Sequence, residues 1–415
     1  MKKIVMGVLC FLCVLSKGAE ANELSVLQSQ VSELTNAVKD LRIVVEEQQR
    51  EIQQLKSSQT QAFPSAPVWN VASPKPSGHF TPEIGAVADV VLSTDSPKAD
   101  EGGADRVNVR ELELVLGSNV DPYSRLDGTI AFTEEAAELE EAYLTRFELP
   151  FDVTARAGRF KPKFGKDLAV HRDSLDTVDE PLVIQRYFGE EGMSKSGVDL
   201  TKLLDISLMH QITLGVLEGG TGEGGTAFGV TKRTPTLYSR LKSYLDISDT
   251  TNLEIGLNDA LGSRDADTTF EVNVFGIDGT LIHQLSANQT IKLQGEVFNV
   301  NRTESEKETV DDATGDVFLD DLDGNVWGGY GLFDFRLNSQ WAAGFRYDQV
   351  ELVNRAVDSP NTYDVGYSGY LTFYQSEFAR WRLQYTYLDL TDGSADNRVW
   401  IQGTFAIGDH KHKLQ

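Results

Sequence analysis

The stretch Leu237-Tyr-Ser-Arg-Leu-Lys-Ser-Tyr-Leu-Asp-Ile247 sets Leu237, Leu241, Leu245 and Ile247 on odd positions and Tyr238, Arg240, Lys242, Tyr244 and Asp246 on even ones. Successive side chains of a strand point to opposite faces, so this period of two writes one apolar and one charged face. After an Asp-Thr-Thr-Asn turn, Leu253, Ile255 and Leu257 repeat the apolar face. Trp341, Ala343, Phe345 and Tyr347 alternate with Gly344, Arg346 and Asp348, and Trp381, Leu383, Tyr385 and Tyr387 with Arg382, Gln384 and Thr386. From His79 onward the unit recurs, about ten residues at a time, between Gly/Asn/Asp breaks. Alternation alone fits a soluble sandwich as well as a membrane barrel whose strands face lipid and lumen.

The N-terminus separates the two. Lys2-Lys3, the apolar run Ile4 to Leu15 and Ala19-Glu-Ala21 read as a secretory leader, residues 1–21, cleaved before Asn22. That run is too short to span a bilayer as a helix, and no later segment reaches about eighteen uninterrupted apolar residues. An exported chain of this kind is soluble, surface-attached or a barrel. Cys10 and Cys13 both lie in the leader, so the mature chain has no disulfide, thiolate nucleophile or cysteine metal site. The whole chain carries −25, and loss of Lys2, Lys3, Lys17 and Glu20 takes it to −27, a field that repels nucleic acid.

Residues 22–60 form a separate element. Leu24, Val31, Val38, Val45 and Ile52 fall at heptad position a, and Leu27, Leu34, Leu41, Gln48 and Leu55 at d. This register predicts a coiled-coil helix and hence self-association, with β-branched a and Leu at d leaning towards two strands. A Pro/Ser-rich spacer, residues 61–79, joins it to a barrel over 80–415.

Turn residues divide the remainder into about sixteen strands: 80–93, 106–119, 124–134, 138–149, 152–161, 194–202, 206–217, 235–247, 252–260, 268–283, 287–300, 326–337, 341–352, 361–374, 379–390 and 396–407. The expected fold is therefore all-β, a transmembrane antiparallel barrel with both ends on the periplasmic side and the coil beneath it. The longest connection, Lys161 to Ser194, is the third outer loop, long enough to fold into an otherwise open lumen.

Gly158-Arg-Phe-Lys-Pro-Lys-Phe-Gly165 at the start of that loop and Gly408-Asp-His-Lys-His-Lys413 near the end, with the coil and the strand count, resemble the phosphate-selective porins O and P. The resemblance spans nearly the whole mature chain. It implies a homotrimeric outer-membrane porin whose barrel is narrowed by its third loop and lined with basic residues that pass anions. The chain finishes Leu414-Gln415, where that family finishes on an aromatic residue.

With apolar faces assigned to lipid, the lumen receives Arg156, Arg240, Lys242, Lys292, Arg336, Arg346, Arg382 and Arg398 against Glu111, Glu113, Asp246, Glu254, Glu296, Asp334 and Asp348. The third loop adds Lys161, Lys163, Lys166, His171, Arg172, Arg186 and Lys195 among seven acids. The candidate pore-lining set is Lys161, Lys163, Lys166, Arg172, Arg186, Arg156, Arg240, Lys242, Arg346 and Arg382, since rows of Arg and Lys favour anions. Wall residues that merely pair with one another fit the same list. Acids crowd 304–323, where Asp321-Leu-Asp323-Gly-Asn325 lacks the glycine placement and terminal glutamate of a calcium loop. Gly219–Gly225 lacks the Lys-Ser/Thr of a phosphate loop and reads as a mobile outer loop. His410 and His412 are too few to hold a metal structurally. No catalytic residue, metal or cofactor is expected, and an uptake receptor would need a plug and about twenty-two strands. The readings left are a passive porin for small hydrophilic solutes or ions and an outer-membrane anchor whose coil tethers the envelope.

Overall fold

The computed structural model describes residues 82–408 apart from 95–105, 135, 207, 223–224, 231, 265–269, 311–316, 354 and 356–358. The leader, heptad segment, spacer, His410 and His412 lie outside the described residues. The strands are β1 (Glu83–Thr94), β2 (Arg106–Asp121), β3 (Ser124–Phe132), β4 (Ala137–Leu149), β5 (Val153–Phe160), β6 (Lys195–Ile206), β7 (Leu208–Leu217) and β8 (Thr236–Ser248). They continue as β9 (Thr251–Ser263), β10 (Glu271–Ser286), β11 (Gln289–Val310), β12 (Val317–Arg336), β13 (Trp341–Glu351), β14 (Tyr363–Ser376), β15 (Ala379–Asp389) and β16 (Ala395–Gly408). Each pairs antiparallel with its sequence neighbours, and β1 closes on β16 from Gly85↔Gly408 to Thr94↔Val399. Closure leaves no unpaired edge. The expected sixteen-stranded antiparallel barrel is the fold observed.

Burial is inverted relative to a water-soluble protein. Leu200, Leu214, Leu241, Leu257, Ile277, Leu293, Phe333, Leu371 and Leu383 are exposed, while Asp199, Asn258, Asp278, Glu296, Arg346, Gln384 and Gln402 are buried. An outward apolar face matches hydrocarbon rather than water. Aromatic rows bound it on β13–β15: Trp341, Phe373 and Trp381 lie side by side near the tight turns, and Tyr347, Tyr367 and Tyr387 lie six residues further along. Six residues of strand span about 20 Å, close to the apolar band of a membrane barrel between its aromatic girdles.

Three local features depart from the sequence reading. Of the acidic stretch 304–323, expected as an outer loop, residues 304–310 and 317–323 instead extend β11 and β12, whose pairing continues from Arg302↔Gly324 to Val310↔Val317. Strand that stands beyond a membrane has water on both faces and needs no alternation, so its charge gave no strand signal. The third loop contains two single 3-10 turns and a short helix, α1 (Leu182–Phe188), with Leu182, Val183, Ile184, Tyr187 and Phe188 all buried. Gln185 and Arg186 are half-buried beside these five, and about two turns of helix are too short to show an amphipathic period. Bulges in β2 opposite Asp89/Val90 and in β4 opposite Thr129/Ile130 insert Arg110 and Glu140 as extra residues.

Leu257 sits mid-strand on the lipid face of β9. We expect Leu257→Arg to cost about 2–4 kcal/mol in urea unfolding from bilayers, against little for a charge at the exposed rim; an unchanged midpoint would place this face in water.

Candidate functional site

The segment Lys161–Ser194, between β5 and β6, folds into the barrel. Its irregular backbone must find partners there, and the wall supplies them. Gly165 N donates to Asn258 Oδ1 (2.8 Å), and its carbonyl accepts from Arg240. Lys166 N and Asp167 N donate to the Glu296 carboxylate at 2.6 and 2.7 Å. The Asp167 carboxylate accepts from Gln294 (2.8 Å) and from the Tyr330 hydroxyl (2.7 Å). Across the lumen, Arg380 donates to the Asp173 carbonyl at 2.6 Å. Arg382 donates to the Leu175 and Thr177 carbonyls at 2.8 and 2.7 Å, and Arg346 to that of Asp179 at 2.7 Å. Val178 N donates to Gln384 (2.8 Å), Arg110 to the Val178 carbonyl (2.8 Å), and Leu182 N to Asp348 (3.0 Å).

Apolar packing completes the docking. Phe164 stacks on Phe298 with centroids 5.8 Å apart, and Phe188 meets Phe298 edge-on at 5.1 Å. Together with the buried apolar side chains of α1 they join Val274, Val300, Val350 and Leu388 of the wall in one cluster. Each such buried side chain contributes about 1.5–3 kcal/mol. Two glycines of the Gly158–Gly165 motif make room for this route. Gly158 (φ 138) lies against the Ala142 carbonyl, and Gly165 (φ 71) against the Glu296 carboxylate, where a Cβ would collide. Described residues in and just after Gly219–Gly225, the stretch expected to be mobile, are docked: Gly222 N donates to the Phe188 carbonyl at 2.8 Å, and Thr226 N and Ala227 N to those of Arg186 and Tyr187 at 3.0 and 2.9 Å. A Cβ on Gly222 would strike Phe188 and Gly192, so the glycines serve close approach.

The ten candidate cations all lie on the lumen wall or this loop, in three groups. Arg346, with a side chain 1% exposed, bonds Asp348 at 2.7 Å and Thr177, and Arg382 and Lys161 are likewise buried against loop carbonyls. These three fasten the loop rather than face open water. Arg172 pairs with Glu191 (2.7 Å) and Arg186 with Asp364 (2.9 Å). The other five converge where β5–β9 face the loop's first turn: Arg156 on Asp199 (2.5 Å), Arg240 on Asp278 (2.7 Å), Lys166 and Lys242 on Glu254 (2.9 and 3.2 Å), and Lys163 on the Thr201 hydroxyl (3.3 Å). Among the described residues Lys163 forms no ion pair. Burial, then the charge of Arg156, pulls its ammonium down to about 8.

Sequence reasoning missed Arg110, Arg380 and Glu140. Arg380 shares its face with Arg382 and could have been read from the alternation in β15. Arg110 and Glu140 could not, because a bulge breaks the period that assigns a face.

Two expectations follow. Arg346→Ala leaves Asp348 buried and unpaired, which should cost about 3–5 kcal/mol and open 161–194 to proteolysis in the folded barrel; a loop as resistant as wild type would show that other contacts hold it. Burial pushes the Glu180 carboxyl up to about 8, partly opposed by Lys161. The folded state then binds the extra proton above the ordinary 4.5, and stability falls as pH rises from there through about 8. Glu180→Gln should flatten that fall, matching wild type near pH 4 and exceeding it near pH 9 in urea unfolding.

No family model matches the chain. An uncharacterised protein of Aquifex aeolicus is 25% identical over 331 residues, covering 73% of this chain and 69% of its own. The anion-selective porin of Comamonas acidovorans superposes with a TM-score of 0.55 at 8% identity, over 79% of this chain and 100% of its own. OprB of Pseudomonas putida gives 0.52 at 8% identity, over 79% and 94%. OmpF of Salmonella typhi gives 0.51 at 8%, over 79% and 97%. The chain shares with these three porins the fold of a closed β-barrel.

Proposed function

We propose that the protein is an outer-membrane porin through which small hydrophilic solutes diffuse passively, with a preference for anions that includes inorganic phosphate. The observation that carries this reading is the basic strip between the loop and β5–β9. There Arg156, Lys163, Lys166, Arg240 and Lys242 share three carboxylates, Asp199, Glu254 and Asp278. Cations outnumbering acids along a narrow passage lower the barrier for anions, and the low dielectric of the wall strengthens their field. The barrel likeness to porins, one of them described as anion-selective, supports the same reading. In it the leader exports the chain, the coil of residues 22–60 stands in the periplasm, three copies associate in the lipid of the outer membrane, and no reaction is catalysed.

The test is the reversal potential of the purified protein in a planar bilayer across a KCl gradient. Anion selectivity is expected, falling as pH rises through about 8 while Lys163 loses its proton, and moving towards cations in Lys163→Glu at neutral pH. Cation selectivity in wild type would overturn the anion preference. An absence of conductance would overturn the porin and leave the envelope anchor.

A further inference from the structure

On the adjoining wall, β2–β4, the loop meets a second cluster. His171 lies between β2 and β4 with its side chain 5% exposed. Its Nδ1 stands 3.1 Å from Glu140 Oε2 and 3.7 Å from Glu113 Oε1, and its Nε2 stands 3.1 Å from Glu141 Oε2. The one nitrogen and the two carboxylate oxygens on the Nδ1 side lie within 4.8 Å of one another, and all three residues are buried. Glu140 and Glu141 adjoin in sequence and would face opposite sides of a regular strand; the bulge at Glu140 turns both to the same ring.

A second observation points to a ligand. Glu111, two residues before Glu113, is 4% exposed, and its Oε1 has no hydrogen-bond partner among the described residues. It lines, with Glu140 and Lys161, a cavity of about 350 Å³ between the loop and β2–β4. Its other oxygen is 3.9 Å from Arg172, which Glu191 holds at 2.7 Å. Lys161, the remaining cation, sends its ammonium to the Val170 and Glu191 carbonyls. A buried carboxylate oxygen left unbonded is costly, and so is a nest of three carboxylates around one imidazole.

We infer that Glu113, Glu140 and His171 form a binding site for a divalent first-row transition ion such as zinc, with the remaining position left to water. Two carboxylates and an imidazole nitrogen are the donors such ions take in open sites. The Nε2 partner Glu141 supplies the outer hydrogen bond that fixes the ring with Nδ1 towards the ion, and Glu141 is itself fixed by the Lys161 backbone N–H at 2.9 Å. The ion takes the place of the Nδ1 proton, which leaves to solvent. Ligand atoms around tetrahedral zinc stand about 3.3 Å apart, so no pair of the trio, all within 4.8 Å, closes by more than about 1.5 Å on binding. Because His171 belongs to the loop and the glutamates to the wall, the ion staples one to the other.

Equilibrium dialysis of the purified full-length protein against zinc chloride tests this independently of any transported solute. One zinc per chain is expected, lost in His171→Gln, weakened at least tenfold in Glu113→Gln and in Glu140→Gln, and weakened about 10–100-fold in Glu141→Gln. Each variant is read only if it keeps the heat-modifiable gel mobility of a closed barrel. Cobalt(II) in place of zinc should give visible bands in wild type that vanish in His171→Gln. No saturable zinc uptake by wild type would overturn the inference. Uptake and cobalt bands unchanged in His171→Gln and Glu113→Gln would overturn it too, placing the ion elsewhere, for example on the acids of 304–323.

Discussion

Everything inside this barrel follows from the need to satisfy the peptide groups of a long irregular segment away from bulk water. An unpaired buried N–H or C=O costs about as much as a lost hydrogen bond, and a loop cannot pair its own as a helix or sheet does. The wall answers with long donors and short acceptors: guanidinium groups of Arg346, Arg380 and Arg382 reach loop carbonyls, while Glu296, Asp348 and Gln384 accept loop N–H groups. Arginine suits this task because its planar fork serves two acceptors at once and never loses its charge. What looks in sequence like a selectivity lining is therefore, over much of the circumference, scaffolding.

The division of labour between the two sides of the lumen comes from the same cause. Where the loop lies flat against β11–β16, wall cations and acids are consumed in holding it. Near β5–β8 the loop offers Lys163, whose bonding partner is a hydroxyl, and the neighbouring arginines and lysines share too few acids. Near β2 and β4 the balance reverses and carboxylates dominate around His171. The acidic and basic excesses adjoin on the wall, since β4 pairs with β5, and both are what the fastening of a single segment leaves over.

The alternation in Leu237–Ile247, Trp341–Asp348 and Trp381–Tyr387 was enough to read the strand count, the closure and the inward face of Arg156, Arg240, Lys242, Arg346 and Arg382, because lipid and lumen enforce opposite chemistry on adjacent residues. The length of 161–194 showed that the loop could enter the barrel. What it does there was not legible. Val183 and Ile184 lie inside a seven-residue helix too short for any period, and Arg110 and Glu140 stand at bulges that cancel the parity rule. The hairpin beyond Arg302 was hidden for the opposite reason, since water on both sides imposes no pattern at all.

The fastening of the loop also fixes an order of assembly. The carbonyls of Asp173, Leu175 and Thr177 are held by Arg380 and Arg382 across 205–207 residues of chain, and such distant partners are met late because their closure entropy is spent before any contact repays it. Both arginines lie on β15, the last strand but one, and β16 must still find β1. The loop thus lacks these particular anchors until the last strands are in place, and a barrel that stalls one hairpin short would hold a loop fastened only by earlier strands, through groups such as Asn258, Glu296 and Arg346, and an unsealed lumen. Correct filling of the lumen is in this way coupled to completion of the wall, and a chain arrested before β16 met β1 would have neither.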